Sequence, residues 1–450
     1  MTDEQFSSLV EHAGALMDEH GVPGAAFGVL HDGEMHTAGL GVTSVEHALP
    51  VTDETLFQIG STTKTVTATV LVLLGASGRL DLDAPVRTYV PELRLQDESV
   101  AAAVTVRHLL THTAGWAGDV FRDTGPGDDA LDRYVARMAE IPQLTPLGRL
   151  WSYNNAGFVL AGLVIERVAG KPYEDAAREI VLDPMGMDRS FFLPAEVMLH
   201  RFAVGHMVRD DGSVEIARPW GLPRSSNPTG ALCSTVRDQL RYAGLHLGPE
   251  VPPGFDAVAL QEMQQPTAHI NGDRWMGLSW WLDDVGGTRI VSHGGATNGQ
   301  LSAFWFAPEA GFAFTSLTNA DRGDRMNRAL GVWVREHYLG VVATTPEPVT
   351  GSSGDLAAYA GRYELAGVPT IIELTVDGDA LLMHQVEADL SSFTDTPPDP
   401  FPPFHIAPYR EDAFVAIDGP EKGSISSFVR GDEGEIAWYK TSRIWAKLRD

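Results

Sequence analysis

A serine and a lysine three residues apart, Ser61 and Lys64, form the pair in this chain that is best suited to chemistry. Lys64 is one of only five lysines among 450 residues, because arginine supplies most of the positive charge. At this spacing on a helix two side chains share a face, with Cβ atoms roughly 5–6 Å apart, so the amine can reach the hydroxyl. A buried lysine can lose its proton and activate a serine, whereas an arginine stays protonated. The pair therefore indicates a nucleophilic serine with a lysine as its base.

The surrounding sequence distinguishes this interpretation from a plainer one. Alone, the tetrapeptide 61–64 also fits a Ser/Thr-rich helix start followed by a surface lysine. The segment that follows reads as an apolar helix that ends at Gly75 and Gly78, with Val66, Val70, Leu71, Leu73 and Leu74, and it is too apolar for a surface helix. The serine and lysine would then lie at the mouth of a buried helix, whose N-terminus favours negative charge developing on the serine oxygen.

Two further polar clusters occur later in the chain. Residues 151–157 read Trp-Ser-Tyr-Asn-Asn-Ala-Gly and precede an apolar helix, and residues 292–296 read Ser-His-Gly-Gly-Ala and follow a strand. The order Ser-x-x-Lys, Tyr-x-Asn, His-x-Gly resembles that of the serine β-lactamase and penicillin-binding-protein superfamily. Within it, the chain is most similar to the branch of class C β-lactamases, family VIII esterases and D-amino-acid-specific peptidases.

The resemblance covers roughly residues 5–340. It extends to supporting segments, which are Leu-Leu-Thr-His-Thr-Ala-Gly at 109–115, Pro-Leu-Gly at 146–148, Asp-Pro-Met-Gly-Met at 183–187 and Pro-Thr-Gly at 228–230. Residues 355–450 look like the β-barrel tail that some relatives carry. The resemblance implies a β-lactamase/transpeptidase-like antiparallel sheet flanked by helices, with a helical subdomain, followed by a small lipocalin-like barrel.

The same resemblance assigns roles to the polar residues. It implies that Ser61 is the nucleophile that forms an acyl-enzyme. It implies that Lys64 and Tyr153 are a coupled acid–base pair that titrates as a unit, since a tyrosine with a pKa near 10 needs adjacent positive charge to act as a base. By the same analogy, Asn155 hydrogen-bonds Lys64 and the carbonyl on the acyl side of the substrate.

The third motif supplies the remaining features of the implied site. The backbone N–H groups of Ser61 and Ala296 are expected to form the oxyanion hole, and Gly294 and Gly295 to let the strand approach the substrate. Most β-lactamases and carboxypeptidases have lysine where this chain has His293. Histidine carries only a fraction of a charge at pH 7, so recognition of a substrate carboxylate should be weak. Esters, amides and peptide derivatives are favoured as substrates.

Several functions fit these motifs. The first is a serine hydrolase that acts on small esters, amides or D-amino-acid-containing peptides. The second is an acyltransferase or transesterase, in which an amine or alcohol captures the same acyl-enzyme, and a weak β-lactamase or D-Ala-D-Ala carboxypeptidase is a further alternative. A non-catalytic sensor is disfavoured, because it would not need to retain Ser61, Lys64, Tyr153 and His293.

Cofactor and metal chemistry have little support in the sequence. His108 and His112 are four residues apart, a spacing that could chelate zinc, but no acidic residue lies between them and the segment matches a structural helix end of the family. The chain has no Gly-x-Ser-x-Gly elbow and no Gly-x-Gly-x-x-Gly loop. We therefore expect no metal and no cofactor, and a small-molecule or short-peptide substrate.

The elements that must position these residues follow from the hydrophobic pattern. Residues 3–20 read as an amphipathic helix, and 22–30 and 35–42 as two strands around a turn. Strand patterns return only at 289–317, in three segments, after a long helical stretch from about 80 to 215, and a last helix covers 324–338. A sheet begun by the N-terminal hairpin and completed by distant strands is a mixed α/β (α+β) layer, with the expected site in the cleft beside the helical subdomain.

The C-terminal part has a different pattern. Residues 341–354 read as a linker, and 355–450 contain short strands with Gly/Asp/Pro turns that suit a small antiparallel barrel or sandwich. We therefore expect a serine hydrolase domain at 1–340 and a barrel domain at 355–450. Because every motif lies before residue 340, the barrel should be separable from the chemistry, although it could shape the rim of the cleft.

Composition limits the environment and the partners. The formal net charge of −27 argues against nucleic acid and against an anionic membrane surface. A single cysteine, Cys233, excludes an intrachain disulfide, and the N-terminus lacks the basic and apolar regions of a secretory signal. The longest apolar runs are too short to span a bilayer. A cytoplasmic location is the resulting expectation, and the sequence does not fix an oligomeric state.

Overall fold

The computed structural model describes residues 2–248, 251–349, 355–389, 394–397 and 401–448. Its α-helices, in chain order, are α1 Asp3–His20, α2 Thr63–Ala76, α3 Glu98–Ala103, α4 Val106–Leu110, α5 Ala130–Val135, α6 Asn155–Ala169, α7 Tyr173–Ala177, α8 Pro194–Val197, α9 Asn227–Gly230, α10 Val236–Leu247, α11 Ala257–Glu262 and α12 Gly323–Val334.

The strands of the first part are β1 Gly24–His31, β2 Glu34–Gly41, β3 Phe57–Gln58, β4 His206–Val208, β5 Val214–Ile216, β6 Cys233–Ser234, β7 Ala268–His269, β8 Trp275–Met276, β9 Trp281–Val285, β10 Thr288–Thr297, β11 Gln300–Ala307 and β12 Phe312–Thr318. The strands of the C-terminal part are β13 Gly361–Leu365, β14 Thr370–Asp377, β15 Ala380–Ala388, β16 Phe404–Arg410, β17 Ala413–Ala416, β18 Ile425–Arg430, β19 Ile436–Lys440 and β20 Ile444–Lys447.

The main sheet has the order β2-β1-β12-β11-β10-β9-β8-β7, and its neighbouring strands are antiparallel. β1 and β2 form the N-terminal hairpin, and β12 pairs with the other edge of β1, for example Gly28 with Thr315. The prediction that distant strands complete a sheet begun by the hairpin is confirmed. β10, which carries the third motif, lies near the middle of this sheet.

Helices cover both faces of the sheet. In β1, Phe27 and Val29 belong to a core that includes α1 and α12, whereas Ala26 and Leu30 belong to the larger core of the helical layer. Successive side chains of a strand point to opposite faces, so a strand that is buried on both faces lacks polar alternation. The molecule therefore has the layered α/β fold expected from the sequence, with a helical subdomain on the α2 side.

α2 is the central helix of the larger core. All its residues from Thr63 to Leu74 are buried, although four of them are threonines. Thr67 bonds the Pro228 carbonyl and lies 2.8 Å from the Tyr173 hydroxyl, and Thr69 donates to the Thr65 carbonyl. Because these hydroxyls have partners, tertiary packing offsets the low helix propensity of β-branched residues. The buried helix that was predicted after Ser61 is confirmed.

The C-terminal strands β13–β20 form a closed antiparallel barrel, in which β20 pairs with β13. In the described residues its interior is a hydrophobic core, formed by Tyr363, Ile372, Leu374, Leu381, Phe404, Ile406, Phe414, Ala416, Phe428, Ile436 and Tyr439. The sequence analysis did not identify β16, which contains Pro408, or β20, which has only four residues. The described part of the predicted linker, 341–349, has no helix or strand, and 350–354 lie outside the described residues.

The third motif differs from its prediction. The sequence suggested that residues 292–296 follow a strand, whereas the structure places them inside β10, which pairs with β11 through Gly294–Ala303 and Gly295–Ser302. Glycines weaken a strand pattern in sequence, but here the ladder with β11 keeps the backbone extended. The motif is therefore fixed by the sheet and not by a loop.

No helix in the described residues has the length and apolar character that a membrane crossing requires.

Candidate active site

Ser61 and Lys64 lie at the start of the buried helix. Ser61 belongs to a short 3₁₀ turn, Gly60–Thr62, which leads directly into α2, where Lys64 is the second residue. Lys64 Nζ lies 3.0 Å from Ser61 Oγ and donates to the Thr229 carbonyl at 2.6 Å. Thr229 comes from the Pro-Thr-Gly segment that the family resemblance singled out. The structure therefore brings the predicted base and nucleophile into hydrogen-bond contact.

Lys64 is fully buried and has no ion pair with a carboxylate among the described residues. Burial lowers the pKa of the amine well below its usual value, with Asp119 opposing this effect and Arg443 adding to it. The charged form of an amine is disfavoured in a low-dielectric interior. This shift favours the neutral form of the amine, which can accept a proton from Ser61.

Tyr153 lies just before α6, with Asn154 as the helix N-cap. Lys64 Nζ is 5.0 Å from the centre of the Tyr153 ring, and the ring of His112 stacks on Tyr153 with 4.5 Å between ring centres. Burial raises the pKa of the phenol above 10, whereas the nearby Ser61 hydroxyl and Arg443 oppose that rise. No hydrogen-bond partner of Tyr153 Oη is found among the described residues. The phenol is therefore protonated at rest.

Asn155 has a different partner from the one that the family resemblance implied. Its side-chain amide donates to Asp119 Oδ1 at 2.6 Å, and no hydrogen bond joins Asn155 to Lys64 in the described part of the chain. Asp119 is buried and in turn accepts from Arg443, at 2.6 Å to Oδ2 and 3.3 Å to Oδ1. Burial raises the pKa of Asp119, but Arg443 and Asn155 lower it by more, so the carboxylate is ionised.

Arg443 comes from the turn between β19 and β20 of the barrel. Its guanidinium carbon is 4.8 Å from the centre of the Tyr153 ring. In the same turn, the Ser442 carbonyl accepts from the Tyr153 backbone N–H at 3.0 Å, and the Ile444 N–H donates to Ser152 Oγ at 3.3 Å. The C-terminal region therefore reaches the site, which agrees with the expectation that the barrel could shape the rim of the cleft. The turn matches no known sequence motif, so the sequence does not predict this contact, which depends on how the barrel docks.

His293 is buried inside β10. Its Nδ1–H donates to the Gly294 carbonyl at 2.6 Å, and its ring stacks on Trp281 with 4.8 Å between centres. Burial, with a smaller effect from Lys64, lowers the pKa of the imidazole to about 3. Nε2 has no partner among the described residues and no hydrogen bond joins the imidazole to Tyr153 there. His293 therefore stays neutral across the neutral pH range.

The glycines around the nucleophile allow two backbones to meet. A Cβ atom on Gly60 would lie 2.4 Å from the Ala296 backbone nitrogen, and one on Gly295 would lie 1.9 Å from the Ile59 carbonyl and 2.7 Å from the Ser61 nitrogen. All three distances are too short for any side chain. The backbone N–H groups of Ser61 and Ala296 are thus brought close together, as an oxyanion hole requires.

Gly294 is less constrained than Gly295. A Cβ atom there would meet the Ser302 carbonyl at 3.3 Å and Trp281 at 3.9 Å. Its neighbours are β11 and an aromatic side chain, not the 3₁₀ turn that carries Ser61. The two glycines that the sequence treated alike therefore differ in role.

The two histidines that raised the question of zinc have structural roles. His108 Nδ1 bonds Thr105 in a capping box at the start of α4. His112 Nδ1 accepts from the Asn154 N–H at 2.9 Å, and its ring supports Tyr153. Within the described residues, no group of three or more His, Cys, Asp or Glu is arranged to hold a metal ion.

The chain is similar to several known proteins. Residues 9–338 match the family described as Beta-lactamase. The chain is 34% identical to Penicillin-binding protein 4 of Amycolatopsis lactamdurans over 375 residues, which cover 79% of this chain and 97% of that protein. It is 36% identical to Esterase EstB of Burkholderia gladioli over 360 residues, which cover 70% of this chain and 91% of that protein. The crystal structure of SurE matches with a TM-score of 0.78 and 26% identity, covering 98% of this chain and 99% of that one.

Proposed function

Because the chain belongs to the beta-lactamase family, we propose that it is a serine hydrolase that forms an acyl-enzyme on Ser61. The observation that carries this proposal is the contact between Ser61 Oγ and Lys64 Nζ, 3.0 Å apart, in which the lysine is buried without a counter-ion among the described residues. A neutral amine at this distance can accept the serine proton at neutral pH.

The proposed acylation uses the groups around this pair. Lys64 takes the proton of Ser61, and the serine oxygen attacks the carbonyl carbon of the substrate. The N–H groups of Ser61 and Ala296 stabilise the negative charge on the carbonyl oxygen. As the tetrahedral intermediate collapses, the Tyr153 hydroxyl protonates the leaving group and the proton held by Lys64 restores the phenol. The pKa directions support Lys64, not Tyr153, as the base at rest.

Deacylation reverses the same proton transfers. Water enters where the leaving group was, loses a proton to the Lys64–Tyr153 pair and attacks the acyl carbonyl, and Ser61 recovers its proton as it leaves. If an amine or alcohol attacks in place of water, the product is an acyl-transfer product. This alternative uses the same residues, so a hydrolase and an acyltransferase differ only in the nucleophile that the cleft admits.

The proposed substrates are small esters, amides or D-amino-acid-containing peptides. Support comes from His293, which is neutral where many relatives carry a lysine, so it offers a carboxylate no full charge. The similarity to Esterase EstB gives further support to esters. A weak β-lactamase or D-Ala-D-Ala carboxypeptidase activity remains the alternative for the same acyl-enzyme.

Covalent labelling tests this proposal. A fluorophosphonate should add one phosphonyl group per chain, and peptide mapping by mass spectrometry should locate it on Ser61. The control is Ser61→Ala, in which the group should be absent although the protein is folded by circular dichroism. Labelling that persists in Ser61→Ala would refute Ser61 as the nucleophile.

A further inference from the structure

The turn between β19 and β20 forms one wall of the candidate site. Arg443 makes a two-point contact with Asp119, which holds the side-chain amide of Asn155 at 2.6 Å. The Ser442 carbonyl in the same turn holds the backbone N–H of Tyr153. Tyr153, which precedes α6, is therefore bonded to the barrel directly, and Asn155, the first residue of α6, is bonded to it through Asp119. Asp119 and Arg443 are 324 positions apart in sequence, so only the docked barrel brings them together.

The two charges lie among the groups that transfer the proton. The titratable or charged side chains that influence or contact Lys64 and Tyr153 are those of Ser61, His112, Asp119, His293 and Arg443. Burial keeps both of these histidines neutral, because it lowers their pKa values. The only full charges in this set are therefore the Asp119 carboxylate and the Arg443 guanidinium.

We propose that Arg443 and Asp119 are positioning residues through which the barrel holds Tyr153 and Asn155 in place for the acylation of Ser61. This inference rests on the proposed function, because it assigns the pair a role in that reaction. Arg443 is half-buried beside the Tyr153 ring, and its planar fork matches both carboxylate oxygens of Asp119. The contact also places one positive and one negative charge at fixed distances from Lys64.

Attachment of the barrel alone does not account for this pair. Arg410 of the barrel forms a second ion pair with Asp273 in the turn between β7 and β8, at 3.3 Å. The side chain of Asn271 in that turn bonds the barrel through Ser427 Oγ at 2.9 Å and the Thr441 carbonyl at 3.2 Å. The barrel therefore has docking contacts that do not involve the nucleophile, Tyr153 or Asn155, and Arg410 offers a matched control.

The test uses the full chain and four variants, which are Arg443→Gln, Asp119→Asn, Arg443→Lys and, as control, Arg410→Gln. The measured quantity is the rate of Ser61 acylation by p-nitrophenyl acetate in the first turnover, from pH 5 to pH 9. We expect Arg443→Gln and Asp119→Asn to acylate about 10- to 100-fold more slowly at the optimum, because a misplaced catalytic group costs factors of this size. Arg410→Gln should match the wild type.

The pH profiles distinguish positioning from a loss of fold. Arg443 lowers the pKa of Lys64, the proposed base. Removal of Arg443 should therefore raise that pKa and shift the rising limb of the profile to higher pH. The Asp119 carboxylate raises the pKa of Lys64, so its removal should lower that pKa and shift the rising limb to lower pH. Arg443→Lys should restore the wild-type midpoint, since it keeps the charge, but not the full rate, since lysine lacks the fork.

The measured rates and midpoints either support or overturn the positioning role of Arg443 and Asp119. Unchanged rates and midpoints in Arg443→Gln and Asp119→Asn, or an equal loss in Arg410→Gln, would overturn the inference and leave the proposed function intact. If Arg443→Gln does not fold, Arg443→Lys decides alone, and a wild-type rate in that variant overturns the inference. If wild-type Ser61 is not acylated by either the ester or the fluorophosphonate, both the proposed function and this inference fail.

Discussion

A lysine amine is a useful base only if it can be unprotonated at working pH, and burial shifts the pKa of Lys64, the proposed base, in that direction. The amine contacts Ser61 and a backbone carbonyl, and no carboxylate forms an ion pair with it among the described residues. An adjacent carboxylate would stabilise the ammonium and raise its pKa. The nearest such group that affects it, Asp119, is already paired with Arg443. At the scale of single residues, the chemistry therefore depends on which charges are matched before the substrate arrives.

Replacement of Lys64 by arginine should nearly abolish acylation. Arginine preserves the positive charge but cannot accept the proton of Ser61, and loss of general base catalysis costs about 10²–10⁴-fold. The measurement is the first-turnover rate of Ser61 acylation by p-nitrophenyl acetate. Lys171→Arg, at a half-buried lysine paired with Glu179, serves as the control and should keep the wild-type rate. A near-normal rate in Lys64→Arg would mean that Tyr153 works without a lysine base.

His293→Lys should change substrate preference. A lysine at this position brings a full charge toward a substrate carboxylate, and charge-assisted hydrogen bonds are worth roughly 1–3 kcal/mol, or about 10- to 100-fold. We expect the ratio of kcat/KM for nitrocefin to kcat/KM for p-nitrophenyl butyrate to rise by this factor. The wild type should hydrolyse nitrocefin weakly by comparison with the ester. If both values fall together and the ratio is unchanged, His293 has a positional role only.

At the scale of elements, the site is made where a strand passes the N-terminus of a helix. β10 runs along the 3₁₀ turn that carries Ser61, and Gly60 and Gly295 are the points of closest approach. A strand in the middle of a sheet is held by ladders on both sides, here with β9 and β11. The proposed oxyanion donors are therefore held in place before a substrate binds, which is what electrostatic stabilisation of a transition state needs.

Gly295→Ala and Gly294→Ala should differ strongly in their effects. A methyl group at 295 would overlap the Ile59 carbonyl and crowd the Ser61 nitrogen, whereas one at 294 has room to within a few tenths of an ångström. We expect Gly295→Ala to lower the acylation rate by about 10²-fold or more, the size of losing one oxyanion donor. Gly294→Ala should lose less than about tenfold. Equal losses in the two variants would contradict this account of the close approach.

At the scale of the whole molecule, the barrel has its own core and docks partly through polar groups. Among the described residues, aromatic and aliphatic side chains fill that core. Its contacts with the hydrolase part include hydrogen bonds and ion pairs from Arg410, Ser427, Lys440 and Arg443. One turn of the barrel, between β19 and β20, therefore contacts Tyr153 and Asp119 of the candidate site.

Lys440 should make stability depend on pH at this interface. Burial lowers its pKa to about 8, and its ammonium donates to the Ile270 carbonyl. The unfolded chain holds this proton up to about pH 10.4, so between pH 8 and 10.4 the unfolded state binds more protons and stability rises with pH. At roughly 1.4 kcal/mol per pKa unit, the full effect is about 3 kcal/mol.

The measurement is the free energy of unfolding in urea at pH 7.5 and at pH 9.5. Lys440→Met should lack the lysine-specific rise, so the difference between wild type and Lys440→Met should grow in favour of the wild type at higher pH. Lys422→Met, at an exposed lysine, should show the same pH dependence as the wild type. Parallel curves for the wild type and Lys440→Met would show that this amine is solvated in the folded protein.

The sequence by itself determined the family, the order of the motifs and the elements that carry them. The spacing of Ser61 and Lys64 brings the two groups together wherever the chain is helical, since side chains three apart share a face. The N-terminal hairpin, the apolar α2 and most barrel strands were also evident from local periodicity. These features depend on neighbouring residues, which is why a sequence pattern can predict them.

The tertiary structure alone decided the rest. The amide of Asn155 faces Asp119 and not Lys64, and Asp119 meets Arg443 from a turn 324 positions away, so no local pattern could pair them. The neutral state of His293 likewise follows from burial beside Trp281, because a pKa is set by the surroundings of a group and not by its type. Desolvation and long-range charge pairing exist only after the sheet, the helical layer and the barrel have packed together.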